Sequence, residues 1–301
     1  MVKVTVFTPT YNRSQLLNRL YESLINQTNF NFEWLIVDDG STDNTNDEVE
    51  TFITQSNKFS ILYFKQSNGG KHKAINLGVE KANGELFFIV DSDDYLPNKA
   101  IERIIFWENS ILEKQLYAGV SGLKYRIDGK MIGSTFEKEY LDCTSLERRK
   151  YNIKGDKAEV FYTSVLQNFP FPMFENENFL SEYLVWYRIA NTGLKIRWFN
   201  ENTYFCEYIL GGLSSTSWKS LNNPIGLETC VRELIRYKQI DLFSKIKLIG
   251  QYAYGIKLKK KDYYTMSKRV GVNVAVLFIL AQISTVYVFV MFERRKVSGT
   301  N

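Results

Sequence analysis

The chain has 301 residues, 45% of them apolar and 15% aromatic, with 24% charged and five prolines; this composition buries a core and excludes a disordered or fibrous chain. Cys143, Cys206 and Cys230 stand far apart at no metal or redox spacing, and a single histidine, His72, rules out any multi-histidine metal centre. The net charge of +5 is lopsided: Arg236 to Lys296 holds 13 Lys and Arg against three acids, leaving the rest at −5, which suits anionic lipid headgroups and not nucleic acid, because no basic stripe with interleaved aromatics runs through the body.

The N-terminal residues lack the charged, apolar and small-residue blocks of a secretory leader, so the catalytic part is expected in the cytoplasm. Val4–Phe7 reads as a buried strand. Ser14 is the expected N-cap of a helix marked by Leu16, Leu17, Leu20 and Leu24. Trp34–Val37 is a second strand ending on Asp38 and Asp39, and a polar helix over Thr45–Gln55 follows. Next come a strand over Ile61–Phe64, a helix from about Gly70 to Ala82 and a strand over Leu86–Val90. Strand and helix alternating in this way predict a parallel sheet covered on both faces. Residues 116–174 carry weaker patterns, with strand-like pieces near Ala118–Ile127 and a loop near Gly155. A helix over Phe179–Asn191 and strands over Lys195–Phe199 and Thr203–Tyr208 come after.

The C-terminal part changes character. Leu242, Ile246, Ile249, Ala253 and Ile256 recur at helical spacing with Lys245 and Lys247 between them, the pattern of a helix lying on a membrane surface. Val270 to Phe292 is uncharged and bracketed by Lys268, Arg269, Arg294, Arg295 and Lys296. That run is long enough to span a bilayer, while Asn273, Gln282, Ser284 and Thr285 leave re-entrant and in-plane arrangements open, and a buried helix is the plain alternative.

In an open α/β sheet ligands bind beyond the carboxyl ends of the strands. Those ends carry Pro9-Thr-Tyr11, Asp38-Asp39 and Asp91-Ser-Asp93-Asp94, so five carboxylates are expected on one rim. Thr8-Pro-Thr-Tyr-Asn-Arg13, Val37-Asp-Asp-Gly-Ser-Thr-Asp43, Asn68-Gly-Gly-Lys71 with Ala74-Ile-Asn-Leu-Gly78, and Asp91-Ser-Asp-Asp94 resemble the ordered blocks of family 2 glycosyltransferases, a resemblance covering residues 3–97. It implies a GT-A fold, a Rossmann-like nucleotide-diphospho-sugar transferase architecture.

By that resemblance Asp93 holds Mn2+ or Mg2+, while Asp91 shares the ion or faces the donor ribose. A nucleoside diphosphate leaving group needs its charge neutralised, and one or two carboxylates with phosphate oxygens hold a divalent ion for that purpose. Asp39 and Tyr11 would meet the base, with Pro9 and Ser92 beside the donor; Arg13 and Lys71 are candidate phosphate contacts or simply solvated charges. Asp38-Asp39-Gly40 is also a good turn. His72, between two lysines, is expected to be a solvated side chain near an anion site. The family's base is the Asp of a Glu-Asp pair six residues before an arginine; here Ser181-Glu182 precedes Arg188, so Glu182 stands in that place, or caps a helix or pairs with Arg188. Gly155-Asp156-Lys-Ala-Glu159 and Phe169-Pro-Phe-Pro172 resemble an exopolysaccharide or capsule subgroup and make Asp156, Glu159 and Arg188 acceptor candidates, although turn chemistry accounts for the prolines equally well. Glu207 to Ser214, with Gly211 and Gly212, suits a loop closing over the donor.

The expected organisation is a GT-A catalytic domain over residues 1–225, with a donor half at 1–115 and an acceptor half at 116–225, followed by basic amphipathic and hydrophobic membrane-associating helices at 226–301. The expected activity is metal-dependent inverting transfer from a nucleotide-sugar, a UDP-sugar by resemblance, to a polyprenyl-linked oligosaccharide at the cytoplasmic face of the plasma membrane. The alternatives are a nucleotidyl or phosphoryl transferase, which would also need aspartates and a divalent ion but lacks a glycine-rich phosphate loop at the first strand, and a catalytically silent membrane-bound subunit.

Overall fold

The computed structural model describes residues 2–207 and 219–297, with side chains through residue 285. The chain divides into two compact units, residues 1–173 with 185–215, and residues 174–184 with 216–301.

In the first unit β1 (Val4–Thr10), β2 (Phe32–Asp38), β3 (Ser60–Lys65) and β4 (Leu86–Ile89) alternate with α1 (Ser14–Ile25), α2 (Thr45–Gln55) and α3 (Lys71–Lys81). These four strands are parallel, in the order β3-β2-β1-β4. Every residue of β2 is buried, and between Glu33 and Asp38 its sequence runs apolar without alternation. Tyr21, Trp34 and Phe52 stack on one face of the sheet, joining α1, β2 and α2. On the other face Phe7 stacks on Phe87 at 4.9 Å, and α3 comes so close that a Cβ on Gly78 would lie 2.2 Å from the Phe7 ring.

The sheet continues beyond the expected parallel half. After α4 (Ala100–Asn109) come β5 (Tyr117–Arg126), β6 (Tyr140–Cys143), β7 (Lys157–Tyr162), α5 (Thr163–Asn168), α6 (Tyr183–Asn191) and β8 (Lys195–Cys206). The eight-stranded order is β3-β2-β1-β4-β7-β5-β8-β6, with β7 antiparallel to both β4 and β5. The sheet is therefore mixed, because β7 enters from the opposite direction. The two strands expected between Lys195 and Tyr208 are one strand whose register with β5 shifts at Ser121/Leu123 and again at Leu123/Lys124.

Two helix starts differ from expectation. Ser14 is the first helical residue of α1 and its side chain caps nothing; its N–H donates to Asp43 Oδ2 at 3.1 Å instead. The helix expected from Phe179 begins at Tyr183, since the N–H groups of Asn178 and Phe179 both donate to Asn223 Oδ1 (2.9 and 3.1 Å) and hold that segment out of a helix.

The second unit holds α7 (Lys219–Asn222), α8 (Pro224–Leu234), α9 (Leu242–Leu258), α10 (Tyr263–Val270) and α11 (Val274–Val297). Leu227, Val231, Tyr252, Ala253, Ile256, Val270, Leu277 and Ala281 form its core. Glu177 accepts from Ile225 N–H (2.6 Å) and Gly226 N–H (2.8 Å), satisfying orphan donors at the start of α8. Asp241 and Asp262 cap α9 and α10 by accepting from Ser244 and Thr265 N–H. The stripe predicted for α9 is split: Ala253 and Ile256 are buried, while Leu242 and Ile246 are exposed. The uncharged run is not one helix either, because Gly271 ends α10 in the left-handed conformation. Among the described residues no single helix is long and apolar enough to cross a membrane; α10 with α11 passes that test only as a pair bent by 107°.

Candidate active site

Because β1 lies between β2 and β4, the carboxyl ends of the three strands share one rim. The loop after β1 is tied to the loop after β2: Asn12 N–H donates to Ser41 Oγ at 2.8 Å, and Asn12 Oδ1 accepts from Thr42 N–H at 2.8 Å. This fixes the approach of Arg13, whose guanidinium meets Asp93 Oδ1 at 2.9 Å. Asp39 is buried and already accepts from Gln66 Nε2 (2.7 Å), Gly69 N–H (2.8 Å) and Gly70 N–H (2.7 Å). Gly70, at φ 94°, adopts a conformation that a side chain would strain, and it turns its N–H onto Asp39. Asp39 thereby sets the start of α3, and α3 in turn presents Lys71, whose ammonium lies 2.6 Å from Asp91 Oδ1. A carboxylate has about four acceptor positions, and among the described residues these three donors fill all but one on Asp39. Tyr11 is 46% exposed, with its ring available for stacking.

The structure thus brings together Arg13, Asp39, Lys71, Asp91 and Asp93, with Pro9 in β1 and Ser92 buried inside the loop. Asp38 is wholly buried and belongs to the fold: it accepts from Tyr63 hydroxyl (2.8 Å) and Ser41 N–H (2.7 Å). His72 is 2% exposed, not solvated, because it faces inward from the first turn of α3. Burial, then Lys73, pushes its pKa down to about 4 against an opposing pull from Asp39, so it is neutral at pH 7. Neither ring nitrogen has a hydrogen-bond partner among the described residues.

Residues that the sequence reading passed over complete the rim. Tyr204 of β8 accepts from Asp91 N–H at 3.0 Å and donates to Asp94 Oδ2 at 2.6 Å, clamping both ends of the Asp91–Asp94 loop. Arg19 donates to the Asp93 carbonyl and pairs with Glu207 at 2.7 Å, and Glu207 N–H reaches Asp94 Oδ1 at 3.1 Å. Lys124 of β5 lies 4.2 Å from the Tyr204 ring centroid and 3.0 Å from Asp156 Oδ2. A lone lysine inside an apolar strand is the sequence signal for it; Tyr204, one of two adjacent aromatic pairs in β8, had none.

Charge balance explains the ionisation states. Burial alone would raise the pKa of Asp91, but Lys71, Lys124 and Arg13 hold it below the usual carboxylate range. Burial, reinforced by Asp91, pushes Asp94 up to about 7. Burial opposes the charge on Lys124, yet Asp156, Asp91 and Glu159 more than offset it and raise its pKa. Glu159 is pushed up to about 7 by burial, with Arg148 at 3.6 Å pulling the other way.

Among the described residues no group of three His, Cys, Asp or Glu side chains forms a complete metal cage. Asp91 and Asp93 nevertheless fit a shared site: both supply oxygen donors, and hard divalent ions take one or two carboxylates and complete their shell with water and substrate phosphates. Glu182 lies in the second unit, half-buried just before α6; Arg188 lies in the first, within α6. Of the loop expected to close over the donor, residues 208–214 lie outside the described residues.

Residues 5–111 match the family model described as glycosyl transferase family 2. These residues form a family 2 glycosyltransferase domain. The glycosyltransferase GlyG of Streptococcus pneumoniae is 38% identical over 101 residues, 34% of this chain and 33% of GlyG. The poly(ribitol-phosphate) beta-glucosyltransferase of Bacillus spizizenii is 30% identical over 168 residues, 55% of this chain and 26% of that protein. The matches thus span about a third or less of these relatives' own length. Residues 1–349 of S. aureus TarS, solved in complex with UDP-GlcNAc, superpose with a TM-score of 0.63 at 22% identity, covering 84% of this chain and 72% of that one. The family 2 glycosyltransferase domain therefore sits in a GT-A fold.

Proposed function

We propose that the chain is an inverting glycosyltransferase that moves a sugar from a UDP-sugar to a lipid-linked oligosaccharide during cell-surface polysaccharide synthesis. The observation that carries this reading is the pairing of Arg13 with Asp93 and Lys71 with Asp91 on the rim that Asp39 organises. Such a set offers carboxylates for a divalent ion and cations for a diphosphate, at the strand ends where α/β sheets bind nucleotides.

In this mechanism Asp39 accepts a hydrogen bond from the base and Tyr11 stacks on it. Asp91 and Asp93 would hold Mn2+ or Mg2+, which would neutralise charge on the departing nucleoside diphosphate. Arg13 and Lys71 bind the diphosphate oxygens. Glu182 takes the proton from the acceptor hydroxyl as that oxygen attacks the anomeric carbon from the face opposite the leaving group. Asp156, Glu159 and Arg188 are assigned to the acceptor side. The basic second unit is assigned to the cytoplasmic face of the plasma membrane, where a lipid-linked acceptor is confined to the same surface. Relatives named for polymer glucosylation and UDP-GlcNAc binding support the substrate class.

A panel of nucleotide-sugars scored for divalent-ion-dependent binding and slow hydrolysis tests the reading. UDP-sugar turnover that releases UDP, and is lost in Asp93→Asn, is expected. Release of pyrophosphate, or undiminished turnover in chelator, would refute it.

A further inference from the structure

The second unit carries a surface that its own packing does not use. On one side of α11, Leu277 and Ala281 are buried, and Ser284 donates to the Gly250 carbonyl of α9 at 3.2 Å. On the other side Val276, Ile279 and Ile283, at i, i+3 and i+7, are 42%, 55% and 56% exposed, and Phe278 beside them is 53% exposed. Single exposed apolar residues are ordinary, but a continuous stripe along a helix is not. Charge brackets the stripe: nothing from 270 to 292 is ionisable as Asp, Glu, Lys or Arg, whereas Lys268 and Arg269 are exposed before it and Arg294, Arg295 and Lys296 follow in sequence.

We propose that this bare side of α11 seats in the interfacial layer of an anionic bilayer with the helix axis in the membrane plane, leaving α9 on the water side. The proposal deepens the membrane assignment made above and rests on it. The basic flanks complement anionic headgroups, whereas the same face of a second copy would oppose like charge to like. The in-plane orientation follows from α9. Lys257 of α9 donates to Gln282 Oε1 at 2.6 Å and Thr285 Oγ1 at 3.0 Å, so its ammonium lies directly against α11. Steep entry of α11 would carry that charge into hydrocarbon, where it is strongly disfavoured; an in-plane helix keeps it in water. Exposed Tyr264, with the Lys268 ammonium 4.2 Å from its ring centroid, is the aromatic and basic pairing found at headgroup level.

The test uses the purified full chain, phosphatidylcholine vesicles with and without phosphatidylglycerol, and the double variants Ile279→Asp/Ile283→Asp and Ile279→Ser/Ile283→Ser. The wild type is expected to float with anionic vesicles and far less with neutral ones. The Asp variant should partition at least about tenfold more weakly, from lost apolar burial alone, and the Ser variant should fall between. A C-terminal peptide tag is expected to remain open to protease added outside sealed vesicles. Equal flotation of wild type and Asp variant, or a protected tag, would overturn the inference. So would a wild-type dimer in solution that the Asp variant converts to monomer, since the stripe would then be a self-association face. UDP binding and the melting temperature, measured on the same samples, report on the donor site and the fold. Lost flotation with both retained supports the proposal, and unaltered flotation with both retained sinks it while leaving the catalytic reading in place.

Discussion

Replacing Arg13 by Gln tests what the rim cations do. The Arg13 guanidinium lies 2.9 Å from Asp93, with the two side chains 27% and 14% exposed, and Lys71 lies 2.6 Å from Asp91. On the proposed reading, Asp91 and Asp93 would have to leave these pairs to hold a divalent ion, stranding two cations beside its charge. With UDP present, Arg13 and Lys71 would transfer to the diphosphate oxygens, so ion and nucleotide should bind cooperatively. A charge-assisted hydrogen bond contributes about 1.5–3 kcal/mol, and about 1.4 kcal/mol is tenfold in affinity. Arg13→Gln should therefore tighten Mn2+ binding in the absence of nucleotide by about ten- to a hundredfold, and shrink the Mn2+–UDP coupling by a similar factor. Calorimetric titration of Mn2+ with and without UDP, on wild type and variant, reads both quantities. Mn2+ binding that is no tighter in the variant, with coupling unchanged, would refute the partner exchange.

Tyr204→Phe removes the hydroxyl that bonds to Asp91 N–H and Asp94, so a loss of about 1–3 kcal/mol in denaturant unfolding is expected, with weaker Mn2+–UDP binding; equal stability would show that the clamp is idle. Gly70→Ala forces a side chain to φ 94° where the N–H must reach Asp39, and should cost about 1–3 kcal/mol together with donor affinity, read by melting and UDP titration. Glu182→Gln should lower kcat by about a hundredfold or more while leaving the UDP-sugar Kd unchanged; a retained kcat removes the residue from the base role. Glu159, held near 7, binds a proton in the folded chain that it releases near 4.5 when unfolded, so its contribution to stability is full below pH 4.5 and lost as pH rises to 7. Glu159→Gln should flatten the pH 4.5–7 fall in unfolding free energy by on the order of 2–3 kcal/mol, and a slope equal to wild type would show that the carboxyl ionises normally.

What the sequence disclosed follows physical lines. Strands buried on both faces write themselves as apolar runs, so Val4–Phe7, Trp34–Val37 and Leu86–Val90 were legible to within a few residues. The acids at their ends stood out because a carboxylate after such a run needs a reason. The antiparallel insertion of β7 was not legible, because direction is set by long-range pairing that leaves no local period. His72 misled for a related reason: flanking lysines describe one edge of a helix, and the imidazole turns to the other. Tyr204 and Lys124 act across more than 30 residues of intervening chain, and neither belongs to a motif that spacing could reveal.

The charge state of the rim links its structure to its proposed work. Asp91, Asp94, Asp156 and Glu159 lie where burial penalises the ionised carboxyl, and the pKa of about 7 reached by Asp94 and Glu159 is the consequence when cationic pairing does not prevail. Asp91 stays ionised because Lys71, Lys124 and Arg13 surround it. A divalent ion held by Asp91 and Asp93 would take over that neutralising task, which would leave Arg13 and Lys71 as positive charge for a diphosphate. On the proposed reading the same residues would pair with the acids before the donor binds and with its diphosphate afterwards, without any additional group having to be supplied.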